Sequence, residues 1–230
     1  MVRDPSRLTD PETGRPSSGD GLTVIGFTHQ TCPASIRERL YMEDDEAGPV
    51  ETAIRDTGCE AAMVLSTCDR VDLVVQARDE GTVSVERVTE TLTAAAGFEA
   101  GLVLPYRHVM AGPDAFRYLA RVAAGMESQI IGEAQVLGQL KAAHRRAEAA
   151  GHVTGRLSGA LQAAYRAAKR VRSETAIGEE SVSLASTAVD LVHQLHGDLA
   201  GLSGVLVGAG DMGLFLVDAL SRAGLSRWTV

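Results

Sequence analysis

Two apolar runs, Ala61-Ala62-Met63-Val64 and Val71-Asp72-Leu73-Val74-Val75, stand on either side of the polar hexapeptide Leu65-Ser66-Thr67-Cys68-Asp69-Arg70. Short runs of this kind around a polar break read as two strands joined by a tight connection. This pairing constrains the fold more than any other feature, because whatever the connection carries is presented at one end of a sheet. It carries a thiol, with the hydroxyls of Ser66 and Thr67 before it and the guanidinium of Arg70 two residues after it. A nearby cation favours the thiolate, the nucleophilic form of cysteine, so Arg70 is expected to activate Cys68. A half-buried cysteine packed as a small apolar residue is the other reading of the same position.

Along the chain, residues 1–20 hold three Pro and three Asp with few apolar side chains and read as a disordered tail. Structure is expected from Leu22-Thr23-Val24-Ile25-Gly26-Phe27, a β-rich run, followed by a turn into a helix starting near Pro33 that carries Arg37, Glu38 and Arg39. Further helices are predicted over about Pro49 to Asp56, Val83 to Ala96 and Asp114 to Gly125, and an extended segment over Leu102 to Val109. The stretch Gly125 to Gln139 mixes Ser128, Glu133, Gln135 and Gln139 with apolar residues and is broken by Gly125, Gly132 and Gly138. Each helical glycine costs about 1 kcal/mol relative to alanine, so close backbone approach or a ligand site explains the stretch better than a plain helix.

From Lys141 two helices lead to Arg172, the second with an apolar stripe of Leu157, Ala160, Leu161, Ala164, Ala168 and Val171. Val182 to Leu195 is predicted to be a long helix, with Leu184, Ala185, Ala188, Leu191, Val192 and Leu195 spaced for burial. The last segment changes character. A short β run, Val205-Leu206-Val207, precedes Gly208-Ala209-Gly210-Asp211-Met212-Gly213; a helix from Leu214 to Ala223 and a β run at Trp228-Thr229-Val230 follow. A G-x-G-x-x-G turn between strand and helix lets a pyrophosphate reach backbone N–H groups at the helix N-terminus. The acid expected on the ribose about 20 residues further on falls beyond residue 230, so the segment reads as the opening of a dinucleotide unit.

The formal net charge of −8 argues by itself against a nucleic-acid partner, but its distribution does not. Lys141, Arg145, Arg146, Arg156, Arg166, Lys169, Arg170 and Arg172 face a single acid, Glu148, in one segment. A local basic face on acidic surroundings can steer a polyanion to one place; a solvated helix face is the alternative. Three cysteines, Cys32, Cys59 and Cys68, are too few for a disulfide framework and suit a reducing, cytoplasmic setting. No apolar run reaches the roughly 18 residues of a membrane span. No ligand cluster calls for a metal.

Four of these stretches, in this order, resemble glutamyl-tRNA reductases. Gly26-Phe27-Thr28-His29-Gln30-Thr31-Cys32-Pro33 with Arg37-Glu38 is similar to that family's opening motif, and Leu65 to Arg70 to its L-S-T-C-N-R. Gly125 to Gln139 resembles its G-L-D-S…G-E-x-Q-I-L-G-Q, and Ala168 to Gly178 the approach to its long spinal helix. The resemblance implies an α/β fold: a mixed α+β catalytic domain over 21–175, a linking helix over 176–200 and the truncated start of a Rossmann domain over 201–230. It implies that Cys68 attacks glutamyl-tRNA to form a thioester, which NADPH reduces to glutamate 1-semialdehyde, the first step toward tetrapyrroles. Thr67, Asp69, Arg70, Ser128, Glu133, Ala134, Gln135 and Gln139 fall at substrate-binding positions, and Gly208, Ala209, Gly210, Asp211, Met212 and Gly213 at the NADP-binding turn. The basic segment acquires a partner in the tRNA backbone. A downstream aminomutase and a homodimer, its dimerisation region absent from these 230 residues, belong to the same implication.

The sequence departs from the family pattern at several positions. Asp69 stands for the family's Asn and is expected to raise the thiol pKa. Thr28 stands for Asn, Cys32 for Ala, Glu127 for Asp and Ala134 for Pro, and Tyr118 stands where the family carries a His important for activity. A degenerate paralogue that binds tRNA or a partner without reducing anything, and a thiol esterase using the same Cys68, are the alternatives.

Overall fold

The structure, a computed structural model, describes residues 21–78, 81–133, 135–178, 184–208 and 211–229. The tail expected over 1–20 lies outside the described residues. The two strands around Cys68 belong to a four-stranded antiparallel sheet of β1 (Leu22–Thr28), β2 (Cys59–Ser66), β3 (Arg70–Ala77) and β4 (His108–Ala111), in the order β2-β3-β1-β4. Successive side chains on a strand point to opposite faces, and here both faces are covered. Ile25, Phe27, Ala62, Val64, Leu73 and Val75 pack under α1 (Ala34–Leu40), α2 (Asp44–Asp56), α3 (Val85–Ala95) and α4 (Ala100–Val103). Leu22, Val24, Ala61, Met63, Leu65 and Val74 pack under α5 (Gly112–Ala123), α6 (Gln135–Ala149) and α7 (Gly155–Glu174). The predicted stripe of α7 faces this second core, with Leu157, Leu161, Ala164 and Ala168 buried. The mixed α/β class expected from the sequence is the one observed.

Local differences have local causes. The helix predicted from Pro49 starts at Asp44, because Glu43 and Glu46 form a reciprocal capping box there. Pro49 lies inside the helix, where it has no N–H to donate. The segment expected to be extended over Leu102 to Val109 is helical through Ala100–Val103 and a 3₁₀ turn at Leu104–Tyr106, and extended only from His108. Gly125 and Gly132 do sit at close approaches with positive φ, where an added Cβ would lie 2.7 Å from the Glu133 carbonyl and 2.8 Å from that of Ile177. Gly138 instead sits in α6 with open space around it.

Helix α8 (Leu184–His196) is followed by β5 (Ser203–Val205), α9 (Asp211–Arg222) and β6 (Arg227–Thr229), and β5 and β6 pair in parallel. Residues 182 and 183 of the predicted helix lie outside the described residues. Its stripe is less buried than its spacing suggested: Ala188 and Val192 are half-buried while Leu191 and Leu195 are exposed. Among the described residues α8 packs chiefly against α9. No helix among the described residues is long and apolar enough to cross a membrane.

Candidate active site

The connection between β2 and β3 is only Thr67, Cys68 and Asp69, and its backbone is fixed on every side. The Thr67 N–H donates to the Arg70 carbonyl at 2.8 Å, and the Asp69 N–H to the Thr67 hydroxyl at 3.2 Å. The His29 N–H donates to the Asp69 carbonyl at 2.8 Å. Arg37, buried on α1, donates its Nε to the Cys68 carbonyl and its Nη1 to the Cys32 carbonyl, both at 2.9 Å. Thr67, Asp69 and Arg70 are buried, and the Cys68 thiol between them is exposed.

A second loop, residues 124–133 between α5 and α6, closes over this turn. Gln129 reaches Asp69 twice, its N–H donating to Oδ2 at 3.1 Å and its side-chain amide to Oδ1. The loop is pinned from behind by Arg172 on α7, whose Nη1 donates to the Gly132 carbonyl at 2.8 Å. The two loops and the start of α6 enclose a cleft of about 290 Å³, open to solvent and lined by Thr67, Cys68, Asp69, Arg70, Ser128, Glu133, Gln135, Val136 and Gln139. Every substrate position expected from the sequence is therefore at this cleft except Ala134, which lies outside the described residues; Val136 is an addition.

The electrostatics differ from the sequence expectation. The Cys68 thiol is raised above its ordinary value by partial burial first, then by the charges of Asp69 and Glu133. The cation that opposes this is Arg37, not Arg70. Arg70 turns inward instead. Wholly buried, it donates Nη1 to the Tyr118 hydroxyl at 3.0 Å and Nη2 to the Glu127 carbonyl at 2.5 Å. Burial works against its charge, but Asp72, Tyr118 and Asp69 outweigh that and hold the guanidinium above its ordinary value. Tyr118 donates its own proton to Asp72 Oδ2 at 2.8 Å, and burial followed by the Asp72 charge pushes its phenol well up. It is a neutral donor here.

His108, on β4, tilts against the Tyr118 ring at a centroid distance of 5.1 Å, with Nε2 3.7 Å from Asp72 Oδ1. Gly26 lies opposite both Asp72 and His108 in the register, and an added Cβ would come within 2.0 Å of Asp72 Oδ1. Its lack of a side chain makes room for the pair. Glu133 is raised by burial and by Asp69. Arg37, Asp72, His108 and Gln129 were not singled out from sequence for these roles; the signal for Asp72 was its two-residue spacing from Arg70 on one strand face.

At the turn between β5 and α9, Gly208 has a positive φ of 95°, and an added Cβ at Gly213 would lie 2.9 Å from the Gly208 carbonyl. Ala209 and Gly210 lie outside the described residues, and of Asp211 and Met212 only the helical backbone is described.

Fold and site together define a class: an α/β/α layered domain that presents one exposed cysteine at the end of an antiparallel sheet, beneath a second polar loop. The family model for the glutamyl-tRNAGlu reductase N-terminal domain matches residues 25–175. The chain belongs to the glutamyl-tRNA reductase family. It is similar to the glutamyl-tRNA reductase of Syntrophotalea carbinolica, 42% identical over 192 residues that cover 82% of this chain and 43% of the relative. The Rhodospirillum rubrum glutamyl-tRNA reductase is 37% identical over 211 residues, covering 92% and 49%. Among solved structures, glutamyl-tRNA reductase from Methanopyrus kandleri superimposes with a TM-score of 0.62 at 30% identity, covering 91% of this chain and 48% of that one. The chain spans about half the length of the curated relatives it matches.

Proposed function

We propose that the chain carries the acyl-accepting part of an NADPH-dependent glutamyl-tRNA reductase. Cys68 attacks the ester carbonyl of glutamyl-tRNA; its sulfur forms a thioester as the ester C–O bond breaks, and the tRNA leaves with its hydroxyl reprotonated. The observation that carries this reading is the cleft itself, in which a lone exposed thiol is ringed by hydroxyl, amide and carboxyl groups from two loops and a helix start. Arg70 matches the glutamyl carboxylate in charge, and its Nε has no partner among the described residues. Burial, then Asp69 and Glu133, raise the thiol and disfavour the thiolate, so attack calls for a proton acceptor, and Asp69 Oδ1, 3.9 Å from the sulfur, is bonded to it.

Gly208, Gly213 and the strand–turn–helix around them fit a dinucleotide: the positive φ and the close approach at Gly213 are the features a pyrophosphate turn needs. NADPH held at this turn would supply the hydride for reduction of a thioester to an aldehyde. The domain division at 21–175, 176–200 and 201–230, a cytoplasmic setting, a homodimeric whole and hand-off to an aminomutase belong to the same proposal.

A second reading, a member that binds glutamyl-tRNA without reducing it, draws on two observations: the raised thiol and a neutral phenol at position 118. Glutamyl-tRNA charged with labelled glutamate, offered without NADPH, separates the readings. Label on the protein that vanishes in Cys68→Ser and survives in Cys32→Ser supports the acyl-accepting role. No label supports the second reading, and label released as free glutamate indicates an esterase.

A further inference from the structure

The structure divides the basic segment into cations already engaged and cations left free. Arg146 is bound to Glu51 and Asp44, Arg156 to Glu60, Arg170 to Glu174, and Arg172 to the Gly132 carbonyl. Lys141, Arg145, Arg166 and Lys169 form no ion pair among the described residues, and all four are exposed. Two lie on each side of the groove between α6 and α7, where Tyr165 packs. Tyr165 of α7 is wedged against α6, its hydroxyl 3.2 Å from His144 Nδ1 and donating to the Leu140 carbonyl at 3.5 Å. The Lys141 ammonium caps the same ring at 5.6 Å. Helical spacing puts Arg145 one turn from Lys141, and Arg166 and Lys169 on the same outer flank of α7.

The groove begins at the cleft. Gln135 and Gln139, which line the cleft, lie on α6 just before Lys141, and Lys169 lies one turn before Arg172, which pins the cleft loop. Of the two acids on α6 and α7, Glu174 is taken by Arg170, and Glu148 sits at the far end and accepts a hydrogen bond from the Ser158 hydroxyl at 3.3 Å.

We propose that the α6–α7 groove, through Lys141, Arg145, Arg166 and Lys169, is the docking surface for the phosphate backbone of the acyl-bearing RNA. The inference rests on the reading of the cleft as an acyl-accepting site and specifies how the carrier is held there. On a chain of net charge −8 a polyanion is steered to a face where four exposed cations on two adjacent helices have no ion pair among the described residues. The chemistry selects RNA over a bilayer. Among the described residues the exposed large apolar side chains are Tyr41, Leu102, Leu104, Ile131, Leu191, Leu195, Val205, Val207 and Leu214, so neither α6 nor α7 offers one for insertion between lipids.

The test is binding of uncharged, fluorescently labelled transfer RNA to the 230-residue chain, followed by anisotropy across a salt series. The triple variant Lys141→Glu/Arg166→Glu/Lys169→Glu is compared with Arg87→Glu/Arg117→Glu/Arg222→Glu, which changes the same charge on other helices. Loss of three phosphate contacts lowers the slope of log affinity against log salt by about 2 to 3 and weakens binding by roughly tenfold or more at low salt. The matching Gln triple gives a smaller loss of the same sign, with an unchanged far-UV circular dichroism spectrum. Equal binding by the groove and control triples overturns the proposal. So does a groove-specific loss seen only with phosphatidylglycerol vesicles. Because the RNA carries no acyl group, the readout is independent of the thiol: failure of Cys68 labelling would count against the acyl-accepting role and leave the groove result standing.

Discussion

Two buried charge networks flank the same hairpin, and they are built to different standards. At the outer edge of β2, Glu51 is wholly buried, yet both its oxygens are used. Oε1 accepts from the Val64 N–H at 3.0 Å and from Arg146 at 2.9 Å, and Oε2 from His152 Nδ1 at 2.9 Å. Arg146 donates to the Val64 carbonyl at 2.7 Å, and the His152 carbonyl accepts from the Ala62 N–H at 3.0 Å. These bonds take up the backbone groups that an edge strand would otherwise offer to another chain. Under the cleft, by contrast, Arg70 Nε, Asp72 Oδ1 and His108 Nε2 are buried with no hydrogen bond among the described residues, against Arg146 Nε alone at the edge. A network that serves only the fold closes its bonds, since each unmet buried group costs about 1–3 kcal/mol. Unmet capacity beside an exposed nucleophile is where a bound polar group would find partners.

The sharpest break between the two is at Glu51. Glu51→Ala leaves Arg146 without its buried partner and frees the β2 edge, and loss of one member of a buried pair costs about 3–5 kcal/mol. Urea unfolding should register that loss, while iodoacetamide alkylation of native Cys68 keeps its wild-type rate. A changed alkylation rate would mean that the edge network also serves the site, and the comparison would fail.

Tyr118→Phe tests the other network with a smaller cost. It deletes the hydroxyl that links Arg70 to Asp72 and leaves two more buried groups unmet, for about 1–3 kcal/mol. Unlike the edge variant, it should also depress label transfer from glutamyl-tRNA to Cys68, because the same hydroxyl fixes the guanidinium behind the cleft. A variant that is less stable but transfers label normally would reduce this network to scaffold.

Neither network was legible in the sequence, although the hairpin carrying the thiol was. On β3, Arg70, Asp72 and Gln76 alternate with Val71, Leu73 and Val75, a pattern that by itself describes a strand with one wet face. The polar face is instead covered by α5 and α7, helices that begin some 40 to 85 residues later and whose return no local period announces. Arg37 was visible as a residue of the opening motif, but its partner, the Cys68 carbonyl, is 31 residues away. Sequence proximity therefore credited the field at the thiol to Arg70, when it comes from Arg37. The glycines divided the same way: Gly125 and Gly132 mark backbone crossings, whereas Gly138 is simply tolerated in a helix held by tertiary packing.

Asp69 ties the exposed thiol to the cleft loop, and Asp69→Asn should raise the alkylation rate of Cys68 near neutral pH. Two unit charges about 4 Å apart in water interact by roughly 1 kcal/mol, so the gain is about fivefold. Burial, the larger cause of the raised thiol, is untouched by the substitution. An unchanged rate would assign the whole effect to burial and remove Asp69 from control of the nucleophile.

The smallest effect separates the networks by pH. Burial, then the Arg70 charge, lowers His108 below its ordinary 6.5, while Asp72 and Glu127 act to raise it; Tyr118 is the other group against its ring. A histidine whose folded pKa is depressed contributes stability that is present above its unfolded value and lost as pH falls through the folded one. The unfolding free energy should therefore decline as pH drops below about 6.5, with His144, also lowered by burial, adding to the slope. His108→Gln should flatten part of that decline in urea titrations at successive pH values, and His144→Gln the remainder. An undiminished acid slope in His108→Gln would show that protonating His108 costs the fold nothing, as when Asp72 Oδ1 accepts the new proton across the 3.7 Å gap.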